Sequence, residues 1–230
     1  MGFSNQAVGN HFDNLALRYG RGIAKNYYNL KVYGLIHGFI PNPSSSSVLD
    51  IGCGNGDFLR WLNPQKGKGI DLSQKLIDIA NQVPASNLRF EVKDVNEVNP
   101  KTDFDYIVLI DVIEHLSDLS ATIKSIKRLS SPNTRVIMSF PNPLWEIPFR
   151  IFEYLGIKDP EGPHNLTSIR KMKRILKKNG FGIIKSGYRL LIPLNIPFLS
   201  SFFNSFFYRV PILANLGMSQ FIVCRLTKTL

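Results

Sequence analysis

Three glycines within five positions, Gly52, Gly54 and Gly56, come after the apolar run Val48-Leu49-Asp50-Ile51 and precede Asp57 and Phe58. Glycines at this spacing let a chain turn sharply and bring its backbone close to a ligand. A helix opening near Asp57 would present its electropositive amino end to the same ligand. Asp71 stands 20 positions after Ile51, at the end of a second apolar stretch. That separation lets a carboxylate accept hydrogen bonds from ribose hydroxyls, as in dinucleotide-binding folds. The chemistry is recognition of a nucleoside-bearing ligand. The pattern is GxGxG behind Asp50, not the GxGxxG of NAD-binding folds.

A second constellation is Asp111, Glu114 and His115, a D-x-x-E-H run. Residues three and four apart share a face of a helix or turn, so all three would point toward one pocket. His164 supplies another imidazole in Glu161-Gly162-Pro163-His164-Asn165. Imidazole titrates near neutral pH and suits a general base. Acids and imidazoles together are also a ligand set for a divalent metal that polarises an acceptor oxygen. A third reading makes the run a structural helix start, and all three stay open.

These residues need a frame. Val48–Ile51, Lys68–Ile70, Leu88–Val92, Asp105–Ile110 and Thr134–Phe140 read as strands, with DYIVLI nearly all apolar, as for a strand covered on both faces. Helical patterns lie between them: Ser73 to about Asn81 with Ser73 as N-cap, and a stripe of Ile123, Ile126 and Leu129 stopping at Ser131-Pro132. Thr167 or Ser168 opens another helix carrying Ile169, Met172, Ile175 and Leu176 on one face, closed by Gly180. Phe181–Leu190 and Ser219–Thr227 read as further strands. Alternation of strand and helix means right-handed βαβ units, a parallel sheet and an α/β fold. Pro41, Pro43 and the serine run 44–47 form a loop. It separates an N-terminal helical cap, 1–43, from the main domain, 44–230.

With this frame, the chain resembles the class I S-adenosylmethionine (SAM) dependent methyltransferases. VLDIGCGNGDF (48–58) looks like their first motif, Gly69-Ile70-Asp71-Leu72-Ser73 their second, Val92-Lys93-Asp94-Val95 their third and FDYIVLIDVIEHL (104–116) their fourth. Pro141-Asn142 fits the family's pattern just after the fifth strand, and His11-Phe12-Asp13-Asn14-Leu15-Ala16 resembles the helix that caps the cofactor. The resemblance implies a Rossmann-like, mostly parallel sheet of seven strands in the order 3-2-1-4-5-7-6 with the last strand antiparallel. It implies that Asp50, Gly52, Cys53, Gly54 and Gly56 line the methionine end of SAM. Asp71, with Leu72, would meet the ribose, Asp94 the adenine amino group with Val95 beside the ring, and Asp111 the region of the methyl donor. Ubiquinone-pathway O-methyltransferases and small-RNA 2′-O-methyltransferases carry E-x-x-E-H where this chain begins with Asp111.

Lys and Arg number 28 against 17 Asp and Glu, a net charge of +11. Such a balance favours nucleic acid, anionic lipid or a phosphorylated substrate as partner, or simply solubilises the surface. Residues 170–178 hold six cations and no acid. They form a basic amphipathic helix that either rests on phosphates or packs on a sheet with its lysines in water. The insert 191–217, rich in Phe and broken by Pro193, Pro197 and Pro211, is too interrupted to span a bilayer. It reads as a helical hairpin: a lid over an apolar substrate, a membrane-resting face, a dimer contact, or a segment simply packed onto the N-terminal helices. Cys53 and Cys224 have neither zinc spacing nor a disulfide pattern, which points to a reducing compartment. The expectation is a cytoplasmic enzyme, working at the inner face of the membrane, that O-methylates a small-molecule or lipid-linked acceptor. The competing readings are an RNA 2′-O-methyltransferase with metal assistance and a SAM-binding subunit without turnover.

Overall fold

A computed structural model describes residues 3–19, 27–99, 103–155, 162–192, 198–206 and 214–227. Seven strands form one sheet: β1 (Ser47–Ile51), β2 (Lys66–Asp71), β3 (Leu88–Val92), β4 (Tyr106–Ile110), β5 (Arg135–Pro141), β6 (Phe181–Arg189) and β7 (Ser219–Leu226). Their order is β3-β2-β1-β4-β5-β7-β6. The pairs from β3 across to β5 are parallel, and β7 runs antiparallel to both neighbours. The sequence expectation therefore holds in order and in the one reversed strand.

Alternation along β4 shows why the sheet must be covered twice. Ile107 and Leu109 point to one face and Val108 to the other, all fully buried. The Ile107 face packs with Val136, Met138 and Phe140 against α5 (Leu119–Leu129) and α7 (Ile169–Lys178). The Val108 face packs with Val48 and Ile137 against α2 (Tyr27–His37), α3 (Asp57–Leu62) and α4 (Gln74–Gln82). Ser73 caps α4 by accepting the Leu76 N–H at 3.1 Å, and Ser168 caps α7 by accepting the Lys171 N–H at 3.3 Å. An amino-terminal helix, α1 (Asn5–Tyr19), precedes α2.

Two elements depart from the sequence reading. Residues after Pro141-Asn142 form a helix, α6 (Glu146–Tyr154), where the sequence pattern predicts no element. Within the insert 191–217, α8 (Leu199–Phe206) is helical, and 193–197 and 207–213 lie outside the described residues. Among the described residues no helix is long and apolar enough to cross a membrane.

The basic helix α7 buries Ile169, Met172 and Leu176 on the sheet and leaves Arg170, Lys171, Arg174, Lys177 and Lys178 exposed. Its structural work is done by its apolar stripe. Leu176→Ala should cost about 2–5 kcal/mol in urea unfolding. Arg174→Gln should stay within about 0.5 kcal/mol of wild type. Equal losses for the two variants would contradict this division.

Candidate cofactor and acceptor site

The site lies at the carboxyl ends of β1, β2 and β4, where β1 has neighbours on both sides and the strand order changes direction. Behind β1 the chain folds back onto β2: the N–H groups of Gly52 and Cys53 donate to the Ile70 carbonyl at 2.8 and 3.0 Å. This turn needs glycine. Gly52 has φ +74°, and a Cβ there would lie 2.3 Å from Val112 Cγ2. At Gly54, by contrast, a Cβ would meet nothing within 4 Å, so the crest of the loop faces open space. Cys53 packs on Gly69, and burial pushes its thiol pKa up, which suits a packing residue.

Asp71 fastens this loop. Its Oδ2 accepts the Gly54 N–H at 2.8 Å and its Oδ1 the Ser73 N–H at 2.9 Å. Burial raises its pKa, while these N–H donors pull it back down. Asp50 is only 2% exposed, and its Oδ1 has no hydrogen-bond partner among the described residues. Burial raises its pKa well above the usual carboxylate range, and the Asp71 charge adds to the rise. An anionic oxygen buried beside an open glycine crest fits a cationic donor such as an amino-acid ammonium.

The Asp50 shift has a testable consequence for stability. A carboxyl whose folded pKa is raised stabilises the fold below its unfolded pKa, and that stability is lost as pH rises through the folded pKa. The ligand-free Asp50→Asn variant should therefore be more stable than wild type by about 1–3 kcal/mol at neutral pH. The gap should close as pH falls below the ordinary carboxylate range, while cofactor affinity drops. Thermal unfolding across a pH series checks it; a variant less stable at every pH would sink the argument.

After β3, Asp94 caps the short turn Val95–Glu97, accepting the Asn96 N–H at 2.7 Å, and its other oxygen accepts the side-chain amide of Asn5. Val95 is buried in the core on the α5 side of the sheet. Helix α1 crosses the carboxyl edge of the sheet as a strap. Asp13 accepts the Ser73 hydroxyl at 2.5 Å and the Lys75 N–H at 3.0 Å. Gly9 sits against the Leu72 carbonyl, where a Cβ would come to 3.0 Å. Asn5 also accepts the Ser117 hydroxyl at 2.5 Å.

On the acceptor side the structure divides the D-x-x-E-H run. Only Ile113–His115 form a 3-10 turn, and Asp111 precedes it in the left-handed region with φ +53°. The helical spacing rule therefore does not apply to Asp111. Its Oδ2 accepts the Tyr28 hydroxyl at 2.8 Å and its Oδ1 the Ser139 hydroxyl at 3.0 Å. Burial raises the Tyr28 pKa, and the Asp111 charge raises it further, so the phenol stays protonated as donor. Glu114 is buried, and its carbonyl accepts the Asn165 N–H at 2.7 Å. His115 Nδ1 lies 2.9 Å from the Pro163 carbonyl, with Phe12 of α1 edge-on to its ring. His164 Nδ1 lies 2.8 Å from the Gly162 carbonyl, and its Nε2 is 3.7 Å from Glu146 Oε1. The two imidazoles thus engage adjacent carbonyls of one loop, and His11 packs on Gly162 of that loop. Among the described residues no three His, Cys, Asp or Glu side chains gather as a metal site.

This sheet order, with a glycine turn after β1 and a carboxylate after β2, defines the class I SAM-dependent methyltransferase fold. Magnesium protoporphyrin IX methyltransferase from Synechocystis with bound S-adenosylhomocysteine (SAH) superposes with a TM-score of 0.69 at 18% identity, covering 97% of this chain and 100% of that one. A SAM-dependent methyltransferase from Mesorhizobium loti superposes with a TM-score of 0.64 at 18% identity, covering 84% and 96%. A family model for the methyltransferase domain matches residues 26–186, and the chain belongs to that family. The ubiquinone biosynthesis O-methyltransferase of Bartonella tribocorum is 27% identical over 160 residues, 64% of this chain and 65% of that protein. The Bradyrhizobium diazoefficiens protein of the same name is 31% identical over 104 residues, 43% and 41%. The chain thus spans less than two thirds of the length of these curated relatives. The donor set of the cradle fits SAM: Asp50 is a buried carboxyl with one oxygen that no described group reaches, Asp71 is a carboxylate at the end of β2, and the crest at Gly54 leaves room.

Proposed function

We propose that this chain transfers the methyl group of SAM to an oxygen of a small-molecule or lipid-linked acceptor, with His115 as the base. Both imidazoles turn Nδ1 to a backbone carbonyl, and what separates them is that the Nε2 of His164 faces Glu146 at 3.7 Å. A carbonyl oxygen only accepts, so the contact with Pro163 places the proton of the neutral His115 ring on Nδ1. The lone pair is then on Nε2, where it can take a proton from an acceptor hydroxyl. The cofactor, when bound, supplies a methyl group on a sulfonium, open to in-line displacement.

The protein's own residues hold and orient. Asp71 and the Gly54 crest fix the ribose end, and Asp50 the ammonium end. Tyr28 and Ser139 hold the Asp111 carboxylate in one orientation at the end of β4. Phe12 and the Pro163 carbonyl hold the His115 ring in one plane. His164, facing Glu146, steadies the loop that carries Pro163. Oxygen as the acceptor atom is supported by the names of the two relatives above.

The net charge of +11 supports RNA as a second acceptor class. The exposed Phe198 and Phe202 around the start of α8 favour an apolar acceptor instead. Incubation of the protein with methyl-labelled SAM and separated lipid, small-molecule and RNA fractions decides between them. Label in a lipid or small-molecule product supports the proposal, and label only in RNA overturns it. SAM binding with no label in any fraction would mark a subunit without turnover.

A further inference from the structure

The charge of this chain is divided unequally, along the sequence and again across the sheet. All 17 acidic residues precede residue 162, where 17 cations balance them; residues 162–230 hold 11 cations and no acid. The helices on the two faces of the sheet differ in the same way. On the Val108 face, α2, α3 and α4 carry Lys31, Arg60 and Lys75 against Asp57 and Asp78, close to balance. On the Ile107 face, α5 carries Lys124, Lys127 and Arg128, and α7 carries six cations between Arg170 and Lys178. Neither of these two helices holds an acid. A surface charged only for solubility would have no reason to favour one layer.

The basic helices form one surface. Their buried stripes, Ile123, Ile126 and Leu129 of α5 and Ile169, Met172 and Leu176 of α7, belong to a single core cluster. At one end they meet: a Cβ on Gly180, just past α7, would lie 3.6 Å from Lys127 Nζ. The α5 cation thus reaches the end of α7 that carries Lys177 and Lys178. Apart from the half-buried Lys173, all nine cations are exposed. Among the described residues none of the nine forms an ion pair. Asp118 stands at the amino end of α5 as its cap, and Glu97 lies in the short turn on the flank of α5 that Arg128 touches. Arg170, Arg174 and Lys178 succeed one another four residues apart, about 6 Å along the axis. Like charges at that spacing weaken a helix, and no acid on either helix relieves them.

We propose that the α5–α7 layer docks on the sugar–phosphate backbone of a nucleic acid. Cations clustered on one face, without acids, are the electrostatic footprint of such a partner. The apolar side chains decide between polyanions. Among the described residues, none of the exposed large apolar side chains lies on α5 or α7. A protein partner would find no apolar or aromatic anchor for the centre of an interface. A bilayer would find nothing to take into its interior. Phosphates need neither, because their binding comes from charge and from the release of counterions. The docking goes beyond the proposed methyl transfer and holds whichever molecule accepts the methyl group. The cations lie on helices that cover one face of the sheet, whereas the cradle and His115 lie at the carboxyl ends of its strands.

The test is fluorescence anisotropy of a labelled single-stranded RNA of mixed sequence, titrated with the full chain across a salt series. Binding should weaken steeply with salt, with a log–log slope of about −4 if six phosphates are engaged. Arg174→Gln/Lys178→Gln should lose at least about ten-fold at low salt and bring the slope about 1.4 closer to zero. Lys31→Gln/Lys66→Gln removes the same charge from other surfaces and should bind within about two-fold of wild type. Unfolding curves and SAM affinity should match wild type in both variants, because the four side chains are exposed and lie outside the cradle. Wild type that leaves the RNA free at low salt overturns the proposal, as do equal losses in the two double variants. Polyglutamate or phosphatidylglycerol vesicles that displace the RNA at a lower concentration of negative charge overturn it in favour of an acidic protein or a lipid surface. RNA that binds in this way but takes no label from SAM supports the docking and leaves the proposed acceptor class standing.

Discussion

Asp71→Ala should lose at least about 100-fold in affinity for SAM and for S-adenosylhomocysteine alike. The carboxylate has two jobs. It fastens the glycine loop through the Gly54 and Ser73 N–H groups, and in the proposed function it accepts from the ribose hydroxyls. Hydrogen bonds to a charged group contribute about 1.5–3 kcal/mol each, so losing two or more exceeds the factor stated. The two cofactor forms should suffer equally because they share the ribose and differ only at sulfur. Asp71→Asn, which keeps one acceptor oxygen, should lose about ten-fold. Calorimetric titration of the three proteins reads all of these values, and circular dichroism confirms that the variants fold. Wild-type affinity in Asp71→Ala would remove the cradle from the argument, and with it the cofactor assignment.

The cradle is legible in the sequence because its parts are local. Three glycines in five positions, and an aspartate one strand later, depend on distances along the chain that β1, α3 and β2 preserve. The seven strands are legible for a related reason, since doubly buried strands leave continuous apolar runs such as 106–110. Helix α6 escapes the sequence reading because Pro148 sits in EIPFRIFEY, and a proline usually reads as a break. In the first turn of a helix it removes no needed N–H donor. Tyr28 gives no local signal, its partner Asp111 lying 83 positions away. The D-x-x-E-H run misleads, because helical spacing assumes helical backbone and Asp111 has φ +53°. Non-glycine residues rarely adopt that conformation, and here the Tyr28 and Ser139 hydroxyls hold the carboxylate in place.

The other large effect belongs to chemistry rather than binding. His115→Gln should lower the rate of methyl transfer by about 10²–10⁴-fold, the usual worth of a general base, while leaving SAM affinity near wild type. His115 sits in a 3-10 turn after β4 with its Nδ1 on the Pro163 carbonyl and its ring against Phe12, so its loss should leave the Gly54–Asp71 contact in place. Glutamine keeps a polar side chain able to donate to the Pro163 carbonyl but has no basic nitrogen of comparable strength. A fall in kcat with unchanged KM for SAM is therefore the signature of a base, whereas a merely structural residue would move both together with stability. The pH profile separates the two further. A wild-type rate that depends on neutral imidazole rises with pH through the histidine range, and the variant's residual rate should be flat there. His164→Gln should cost less, because its Nε2 faces Glu146 and its contribution is to loop position. If His164→Gln produced the larger, pH-selective loss, the base would be His164, and His115 would take the supporting role.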